Sequence, residues 1–363
     1  MDAVSTAEAR AMERGIGNTP LVQVCLHIGG VPRPVHLKLE GANPGMSVKD
    51  RTAHGLVESL ERQGRLGKGS VLVESTSGNL GVALAFLARA RGYGFVAVVD
   101  PKTTAENLAK MRRFGARIDL VTEPDHTGGY LLSRLERVQE LCARSPRRVW
   151  TDQYGSPANP AAHASWTGPE ILRQMQGRIG AVVLAVSTGG TLAGIAAWLR
   201  RMSPATRIIG VDARGSVVFG GPPGPRKLTG IGSSRRSSFL TPASYDEHIH
   251  VGDAEAFAFC RALQSATGLH VGGSSGAVLA ATAQYLAAHP EVERVVSLCA
   301  DHGQNYASTI YQDAWLEGHG LLPTPAAVWP VTDITLGPPR PFVVAPPPLP
   351  YVTQPALPLR RAS

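Results

Sequence analysis

Short apolar runs alternate along most of the chain with segments whose apolar residues recur at helical spacing. Leu56 and Leu60, for example, share one face of a predicted helix that Gly64 can end. The alternation predicts strands at 35–40, 70–74, 94–100, 117–121, 181–186, 207–212 and 292–298, and helices at 51–63, 80–91, 103–114 and 129–144. Nearly all-apolar strands are typical of sheets that helices cover on both faces.

This order of elements predicts an α/β fold, because strands separated by helices form parallel sheets with right-handed crossovers. We expect two open, mainly parallel twisted sheets with helices on both faces and a cleft between two lobes. Residues 213–243, rich in Gly, Pro, Arg and Ser, form a long loop of the kind that is usually functional or mobile. Residues 319–363 are rich in proline, so we expect a disordered tail there.

Composition limits the possible functions. The 363 residues include 36 Lys and Arg against 28 Asp and Glu, and the basic residues lie in scattered pairs such as Arg112-Arg113 and Arg235-Arg236. Because aromatic residues do not alternate with these pairs, nucleic-acid binding is not expected, whereas an anionic ligand would be attracted. Residues 1–14 lack a leader pattern and no apolar run is of membrane-spanning length, so we expect a cytoplasmic protein that does not bind membranes. The four cysteines are widely spaced, which predicts reduced thiols and no metal site.

Four polar turns carry the candidate chemistry, and each follows an apolar run and precedes a predicted helix. They are residues 43–51, 74–81, 187–191 and 272–277. The carboxyl ends of parallel strands form the ligand crevice of an open α/β sheet, so we expect all four turns to face one site. Each turn alone is explained equally well as a helix cap, but their coincidence favours a binding site.

Three of the turns indicate a particular chemistry. Lys49 falls in the first turn of a helix, whose positive end lowers the pKa of an ammonium group, as a Schiff-base nucleophile requires. The small residues and helix start of 187–191 are typical of a phosphate cradle, although the sequence is not that of a P-loop. The hydroxyl and amide groups of 74–81 would bind a substrate carboxylate.

The same residues resemble a known family. The motifs Asn43-Pro44-Gly45 with Ser47-Val48-Lys49-Asp50-Arg51, Thr76-Ser77-Gly78-Asn79, Thr188-Gly189-Gly190-Thr191 and Gly273-Ser274-Ser275-Gly276 resemble the fold-type II pyridoxal-phosphate enzymes, which include cysteine synthases and cystathionine β-synthases. The resemblance runs from Gly17 to about Trp315. It implies a homodimer with a larger cofactor-binding lobe, 1–47 with 156–318, and a smaller mobile lobe, 48–155.

The resemblance also implies roles for individual residues. Lys49 would carry pyridoxal 5'-phosphate and act as the catalytic base. Asn79 would hydrogen-bond the cofactor's ring hydroxyl, and Ser274 would meet its pyridine nitrogen. The cofactor phosphate would be held by Ser187, Thr188, Gly189, Gly190 and Thr191. The carboxylate of an amino-acid substrate would be held by Thr76, Ser77 and Gln153.

Further motifs resemble one subgroup, the N-(2-amino-2-carboxyethyl)-L-glutamate synthases. These motifs are Val99-Asp100-Pro101-Lys102, Glu123-Pro124-Asp125, Gly128-Gly129-Tyr130-Leu131, Val211-Asp212-Ala213, Gly215-Ser216-Val217, Phe219-Gly220 and Gly230-Ile231-Gly232. The resemblance implies a β-replacement in which L-glutamate displaces phosphate from O-phospho-L-serine, on the route to 2,3-diaminopropionate for siderophores or peptide antibiotics. Arg134 and the basic residues of 213–243 would attract the phosphate or the glutamate carboxylates.

The chain departs from the family at two positions, and two other functions stay open. Met46 stands where the family usually has glycine, and Leu80 replaces a threonine common in cysteine synthases, which favours a different reaction. One alternative is a cysteine synthase that uses O-acetylserine or O-phosphoserine with sulfide, which a substrate screen would identify. The other is a catalytically silent binding protein, against which a yellow, cofactor-loaded protein would argue.

Overall fold

The structure, a computed structural model, describes residues 3–126 and 129–338. Its strands are β1 (Leu21–Ile28), β2 (Val31–Leu39), β3 (Val71–Ser75), β4 (Gly94–Val99), β5 (Arg117–Leu120), β6 (Arg148–Trp150), β7 (Ala181–Ala185), β8 (Arg207–Ala213), β9 (Glu247–Val251), β10 (Val295–Cys299) and β11 (Val331–Leu336). Its α-helices are α1 (Thr6–Arg14), α2 (Lys49–Arg62), α3 (Asn79–Arg91), α4 (Ala105–Arg113), α5 (Leu131–Ala143), α6 (Ala158–Ala162), α7 (Gly168–Gln174), α8 (Gly190–Met202), α9 (Asp253–Thr267), α10 (Gly273–Ala288) and α11 (Asp313–Glu317).

Two sheets organise the chain. The larger has the strand order β11-β1-β2-β10-β7-β8-β9, and the five strands from β2 to β9 in this order are parallel. The smaller has the order β5-β4-β3-β6 and is parallel throughout. The predicted α/β fold with two open, mainly parallel sheets is confirmed. The described strands between residues 48 and 155 all belong to the smaller sheet, and the lobe boundaries themselves stay a prediction.

The ends of the predicted elements shift by a few residues. Helix α2 starts at Lys49, two residues earlier than predicted, and the predicted helix 129–144 starts at Leu131. Thr127 and Gly128, the latter part of a subgroup motif, lie outside the described residues. Between β8 and residue 242 the chain contains no helix or strand, as the composition of 213–243 predicted. Among the described helices, none is long and apolar enough to cross a membrane.

Two buried helices place the candidate turns. Helix α3 carries buried apolar residues on every side and packs against α1, α2 and α4 and against the strands β3 and β4 of the smaller sheet. Helix α10 is buried in the same way against α9 and the strands of the larger sheet. A helix that is apolar all round is stable only when it is covered on all sides. Because α3 begins at Asn79 and α10 at Gly273, the packing of both cores fixes the turns that precede them.

The tail prediction is wrong for part of residues 319–363. Residues 331–336 form β11, which pairs antiparallel with β1 at the edge of the larger sheet. Val331 and Ile334 belong to the core and are only 7% and 5% exposed. The sequence pattern concealed this strand, because its two buried residues lie three positions apart and polar residues separate them. Residues 339–363 lie outside the described residues.

Ending the chain before Val331 is expected to destabilise the larger sheet and its core. The truncation removes two buried side chains, Val331 and Ile334, and each contributes about 1.5–3 kcal/mol by burial. The thermal unfolding midpoint of the truncated protein should therefore fall well below that of the full chain. A chain ending after Pro338 keeps β11 and is the matched control. Equal midpoints for the two truncated proteins would show that β11 does not stabilise the fold.

Candidate active site

Lys49 is the first residue of α2 and lies beside the carboxyl end of β10. The Val48 N–H donates to the Ala300 carbonyl at 2.8 Å, and Ser47 forms a β-bridge with Asp301. Burial lowers the pKa of Lys49, and the Asp301 carboxylate acts in the opposite direction. The positive end of α2 also disfavours an ammonium group. The amine is therefore more often neutral, and more nucleophilic, than that of an ordinary lysine.

A buried carboxyl group holds the turn before Lys49. Asp50 Oδ2 accepts from the Gly45 N–H at 2.5 Å, and a Cβ at residue 45 would lie 2.3 Å from Asp50 Oδ1. Burial raises the pKa of Asp50 to about 8. Met46 has a φ of 66°, in the left-handed region that favours glycine, which explains the glycine usual at this position. Its backbone is bonded to both Asn43 and His302, so the turn is fixed despite the methionine.

The turn at 187–191 forms an anion cradle. Gly189 has a φ of 89°, and a Cβ there would lie 2.1 Å from Ser237 Oγ. A Cβ at Gly190 would lie 2.1 Å from Asn159 Oδ1, so both positions require glycine. Helix α8 begins at Gly190 and is 13 residues long. The first N–H groups of a helix have no partner within it and its dipole attracts negative charge, so the cradle suits a phosphate group.

Neighbouring polar groups hold the threonines of this cradle. Asn159 Nδ2 donates to Thr188 Oγ1 at 3.3 Å, and Thr191 Oγ1 lies 3.3 Å from His163 Nε2. His163 is fully buried, and burial together with the charge of Lys49 lowers its pKa well below the usual range. The imidazole is therefore neutral. His163 therefore orients Thr191 and adds no charge to the cradle.

The long loop 214–241 closes over the same turn. Ser187 Oγ donates to the Gly232 carbonyl at 3.0 Å, and Ser237 Oγ donates to the Thr188 carbonyl at 2.6 Å. The loop therefore contacts the cradle at both of these residues. It belongs to the candidate site, as its length and composition suggested.

A buried carboxyl group that the sequence analysis missed lies at the centre of the site. Asp301 Oδ2 accepts from Asn79 Nδ2 at 2.7 Å and from the Tyr306 hydroxyl at 2.6 Å. Burial raises the pKa of Asp301, and these two hydrogen bonds and the charge of Lys49 oppose this. The predicted strand before 272–277 is wrong, because that turn follows α9, but the turns at 43–51, 74–81 and 187–191 follow strands, and Asp301 lies two residues after the end of β10. That signal, applied to the predicted strand 292–298, would have identified it.

Asn79 and Ser274 stand at the starts of the two buried helices. Asn79 is the first residue of α3, and Ser274 is the second residue of α10 and is 1% exposed. A Cβ on Gly230, in the long loop, would lie 3.7 Å from the Tyr306 hydroxyl and 3.9 Å from Ser274 Oγ. Because Tyr306 also bonds Asp301, the structure brings Asn79, Ser274 and the Lys49 turn together around these two side chains.

Thr76, Ser77 and Gln153 lie at the carboxyl ends of the neighbouring strands β3 and β6. Gln153 Nε2 donates to the Ser75 carbonyl at 3.2 Å. Buried Glu74 accepts from the Gln153 N–H at 3.1 Å, and burial raises the pKa of Glu74 to about 7. The Glu74 carboxyl group thus links the ends of β3 and β6. It holds Gln153 beside the turn that leads into α3.

Three arginines face Tyr154, which the sequence analysis did not identify. The Arg235 guanidinium lies 5.3 Å from the centre of the tyrosine ring. Burial raises the pKa of the hydroxyl, and the charges of Arg134, Arg235 and Arg226 oppose this. Arg134 is buried with Nη1 3.3 Å from Asp100 Oδ2, and among the described residues its Nε and Nη1 have no hydrogen-bond partner. Buried guanidinium donors of this kind suit an anionic ligand.

Comparisons with known proteins identify the family of the chain. Residues 12–301 match the family described as pyridoxal-phosphate dependent enzymes. The chain is 44% identical over 308 residues, 85% of this chain and 91% of the other, to the N-(2-amino-2-carboxyethyl)-L-glutamate synthase of Ralstonia nicotianae. It is 45% identical over 304 residues, 83% and 89% of the two chains, to the synthase of the same name from Cupriavidus metallidurans. The solved O-acetylserine dependent cystathionine β-synthase of Helicobacter pylori is similar with a TM-score of 0.77 and 31% identity, over 83% of this chain and 98% of that one.

Proposed function

The chain belongs to the family of pyridoxal-phosphate dependent enzymes, and we propose that it makes N-(2-amino-2-carboxyethyl)-L-glutamate from O-phospho-L-serine and L-glutamate. Its cofactor is pyridoxal 5'-phosphate. One observation carries the proposal: two curated relatives that match 83–85% of the chain bear the name of this synthase. The product consists of glutamate whose nitrogen bears the three-carbon skeleton of serine. Its formation is therefore a replacement at the β-carbon of an activated serine.

The residues present fit the cofactor. The glycine cradle at the start of α8 suits its phosphate, and the half-buried Lys49 amine, whose pKa is lowered, suits its aldehyde. We propose that Lys49 carries the cofactor, that residues 187–191 hold its phosphate, and that Asn79 bonds its ring hydroxyl. Ser274 is proposed to meet its pyridine nitrogen. When bound, the cofactor supplies an electron sink for the α-carbon of the substrate.

Lys49 is also the proposed proton carrier. Its amine, whose pKa burial lowers, takes the proton from the α-carbon and later returns it. Between these steps phosphate leaves the β-carbon, and the amine of glutamate forms the new carbon–nitrogen bond there. Thr76, Ser77 and Gln153 are proposed to hold the α-carboxylate of the substrate and so to keep its α-carbon within reach of Lys49.

Ser274 bears on the choice of reaction. A carboxylate at the pyridine nitrogen would hold a proton there and strengthen the electron sink, which suits transamination or racemisation. A neutral hydroxyl stabilises the protonated nitrogen less and gives a weaker electron sink. We therefore expect the serine to favour loss of the β-substituent.

The arginines around Tyr154 match the charge of both proposed substrates. Phosphoserine brings a phosphate, and glutamate brings two carboxylates. We propose that Arg134 binds the phosphate: its Nη1 pairs with the Asp100 carboxylate, and its buried Nε has no hydrogen-bond partner among the described residues. Arg226 and Arg235 lie on the long loop and are proposed to attract the glutamate carboxylates. Sulfide, the nucleophile of cysteine synthesis, would need none of these groups.

The test supplies O-phosphoserine with either L-glutamate or sulfide and measures both products by mass spectrometry. We expect the glutamate adduct, an equal amount of inorganic phosphate, and a higher kcat/KM than for cysteine. L-Glutamine, which lacks the second carboxylate, is the control nucleophile. Its kcat/KM should be lower by about tenfold or more, the loss of one charge-assisted bond. Efficient cysteine formation without a glutamate adduct would overturn the proposed function and leave the cofactor assignment intact.

Replacing Arg134 with leucine is expected to raise the KM for O-phosphoserine by about 10–100-fold, because a charge-assisted hydrogen bond contributes about 1.5–3 kcal/mol. O-Acetylserine, which has no phosphate, should be much less affected. Arg137→Leu is the matched control, since Arg137 lies one turn further along α5 and pairs with Asp119 instead. An unchanged KM in Arg134→Leu would remove this arginine from the substrate site.

We propose further that the protein is a cytoplasmic homodimer whose product is converted to 2,3-diaminopropionate for a siderophore or a peptide antibiotic. The support is the resemblance to the synthase subgroup. Size-exclusion chromatography with light scattering tests the dimer, and a monomer mass at all protein concentrations would contradict it.

A further inference from the structure

Asn79 is held at both ends of its amide. An asparagine offers an oxygen and an NH2 group, so its effect on a ligand depends on which end faces it. Asn79 Nδ2 donates to Asp301 Oδ2 at 2.7 Å, and Asn79 Oδ1 accepts from Asn305 Nδ2 at 3.1 Å. The second N–H of Nδ2 is then the donor left for a ligand.

The two partners of Asn79 are themselves oriented. The Tyr306 hydroxyl donates to the same Asp301 oxygen at 2.6 Å, which keeps that oxygen an acceptor. Lys110 on α4 donates to Asn305 Oδ1, and an ammonium group can only donate, so Asn305 must present its NH2 group to Asn79. If Asn79 were reversed, its oxygen would face the oxygen of Asp301. Its NH2 group would then face the NH2 group of Asn305.

Packing fixes the carboxyl group of Asp301. The side chain is 2% exposed, and the Gly272 N–H donates to its main-chain carbonyl at 3.2 Å. A Cβ at residue 272 would lie 2.0 Å from Asp301 Oδ1, so the glycine makes room for the carboxyl group. The orientation of Asn79 therefore follows from the fold and does not depend on a ligand.

We propose that Asp301 is a positioning residue, which fixes Asn79 as a hydrogen-bond donor to the ring oxygen of the cofactor and so favours the deprotonated form of that oxygen. The inference rests on the proposed role of Asn79 and not on the identity of the substrates. An N–H donor stabilises a negatively charged oxygen, whereas the carbonyl end of a reversed Asn79 would require a proton on it. The charge state of the ring oxygen affects the visible absorption of the lysine-bound cofactor, which gives a readout independent of turnover.

The test compares Asp301→Leu, which removes the acceptor but keeps the branching at Cγ, with Asp301→Asn, which retains an oxygen that can accept. In the cofactor-loaded Asp301→Leu protein, we expect the ratio of the absorption bands to change and the Kd for pyridoxal phosphate to rise about tenfold, as for loss of one charge-assisted bond. Asp301→Asn should restore most of both properties. A folded Asp301→Leu protein with the wild-type spectrum and Kd would overturn the inference.

Asn79→Ala, measured in parallel, separates this inference from the site assignment on which it rests. If Asn79→Ala changes neither the spectrum nor the Kd, the proposed role of Asn79 fails. If it changes both while Asp301→Leu changes neither, only the role of Asp301 fails.

Asn305→Ala provides a second test of the role of Asp301 if Asp301→Leu does not fold. Its side chain is only partly buried, and the variant releases the other end of the Asn79 amide. We expect a smaller change of the spectrum in the same direction, with exposed Gln304→Ala unchanged as the control. Asp301 still holds Nδ2 of Asn79 in this variant, so a change as large as that of Asn79→Ala would show that Asn305 and not Asp301 fixes the amide, and would overturn the inference.

Discussion

Replacing Lys49 with alanine is expected to lower turnover by at least about 10³-fold, because it removes both the nucleophile that holds the cofactor and the base at the α-carbon. The visible absorption of the lysine-bound cofactor should disappear in the same variant. Burial lowers the pKa of Lys49, so a neutral amine is available at a lower pH than for an ordinary lysine. An alanine offers neither the imine nor the proton transfer.

Two other lysines, the buried Lys38 and the half-buried Lys110, are not expected to replace Lys49. Lys38 is bonded to Glu170 in the interior, and Lys110 donates to Asn305 on the far side of Asn79. The exposed Lys68 serves as the control, since Lys68→Ala should retain full turnover and the absorption band. Steady-state kinetics and an absorption spectrum of both variants test this prediction. Normal activity in Lys49→Ala would require the cofactor assignment to be abandoned.

Most of the parallel strands were predictable because their signal is local, but the parallel strands β6 and β9 were not predicted. Runs such as β7 and β10 are almost wholly apolar, and the helices between them show their buried face in the sequence. The antiparallel edge of the larger sheet was harder to predict. Strand β2 contains Pro32 and Pro34 in its more exposed half, and prolines argue against a strand when only the sequence is known. Strand β11 is paired through contacts with β1 some 300 positions earlier, which no local pattern can show.

The site was predictable as separate turns, but not as an arrangement. The family and its cofactor, predicted from four motifs, are confirmed by the match over residues 12–301. The roles of individual residues stay predictions. Asp301 and Tyr154 were missed because their importance lies in contacts between distant segments. Asp301 bonds Asn79 across 222 positions of sequence, and Tyr154 faces arginines from a helix and from the long loop.

A second large effect is expected at Arg51, which follows Lys49 in α2 and belongs to a fully buried group of four charges. Its guanidinium bonds both carboxylate oxygens of Glu40, at 2.7 and 2.8 Å, and both of Glu170, at 2.9 Å each. Lys38 also bonds Glu170, so two positive charges balance two negative ones in the interior. The group joins the start of α2 to β2 and α7.

The pKa values show how strongly these charges depend on one another. Burial alone would raise the pKa of Glu170, but the charges and hydrogen bonds of Arg51 and Lys38 lower it to about 2. A carboxylate with a depressed pKa stabilises the fold above its unfolded value near 4.5, and this contribution is lost as the pH falls towards 2. The ion pairs of the wild-type protein should therefore persist throughout the neutral range.

Arg51→Met is expected to lower the free energy of unfolding by about 3–5 kcal/mol at pH 7, because it leaves two buried carboxylates with one positive charge. The loss of unfolding free energy should be smaller at pH 5, since one glutamate can then take up a proton more easily and remove the unbalanced charge. Arg137→Met is the matched control. Arg137 also pairs with two acidic residues, Asp119 and Glu140, but at the surface, where such pairs contribute about 0–1 kcal/mol. Urea unfolding of the cofactor-loaded proteins measures the difference, and equal stability of the two variants would show that the buried group does not hold α2 in place.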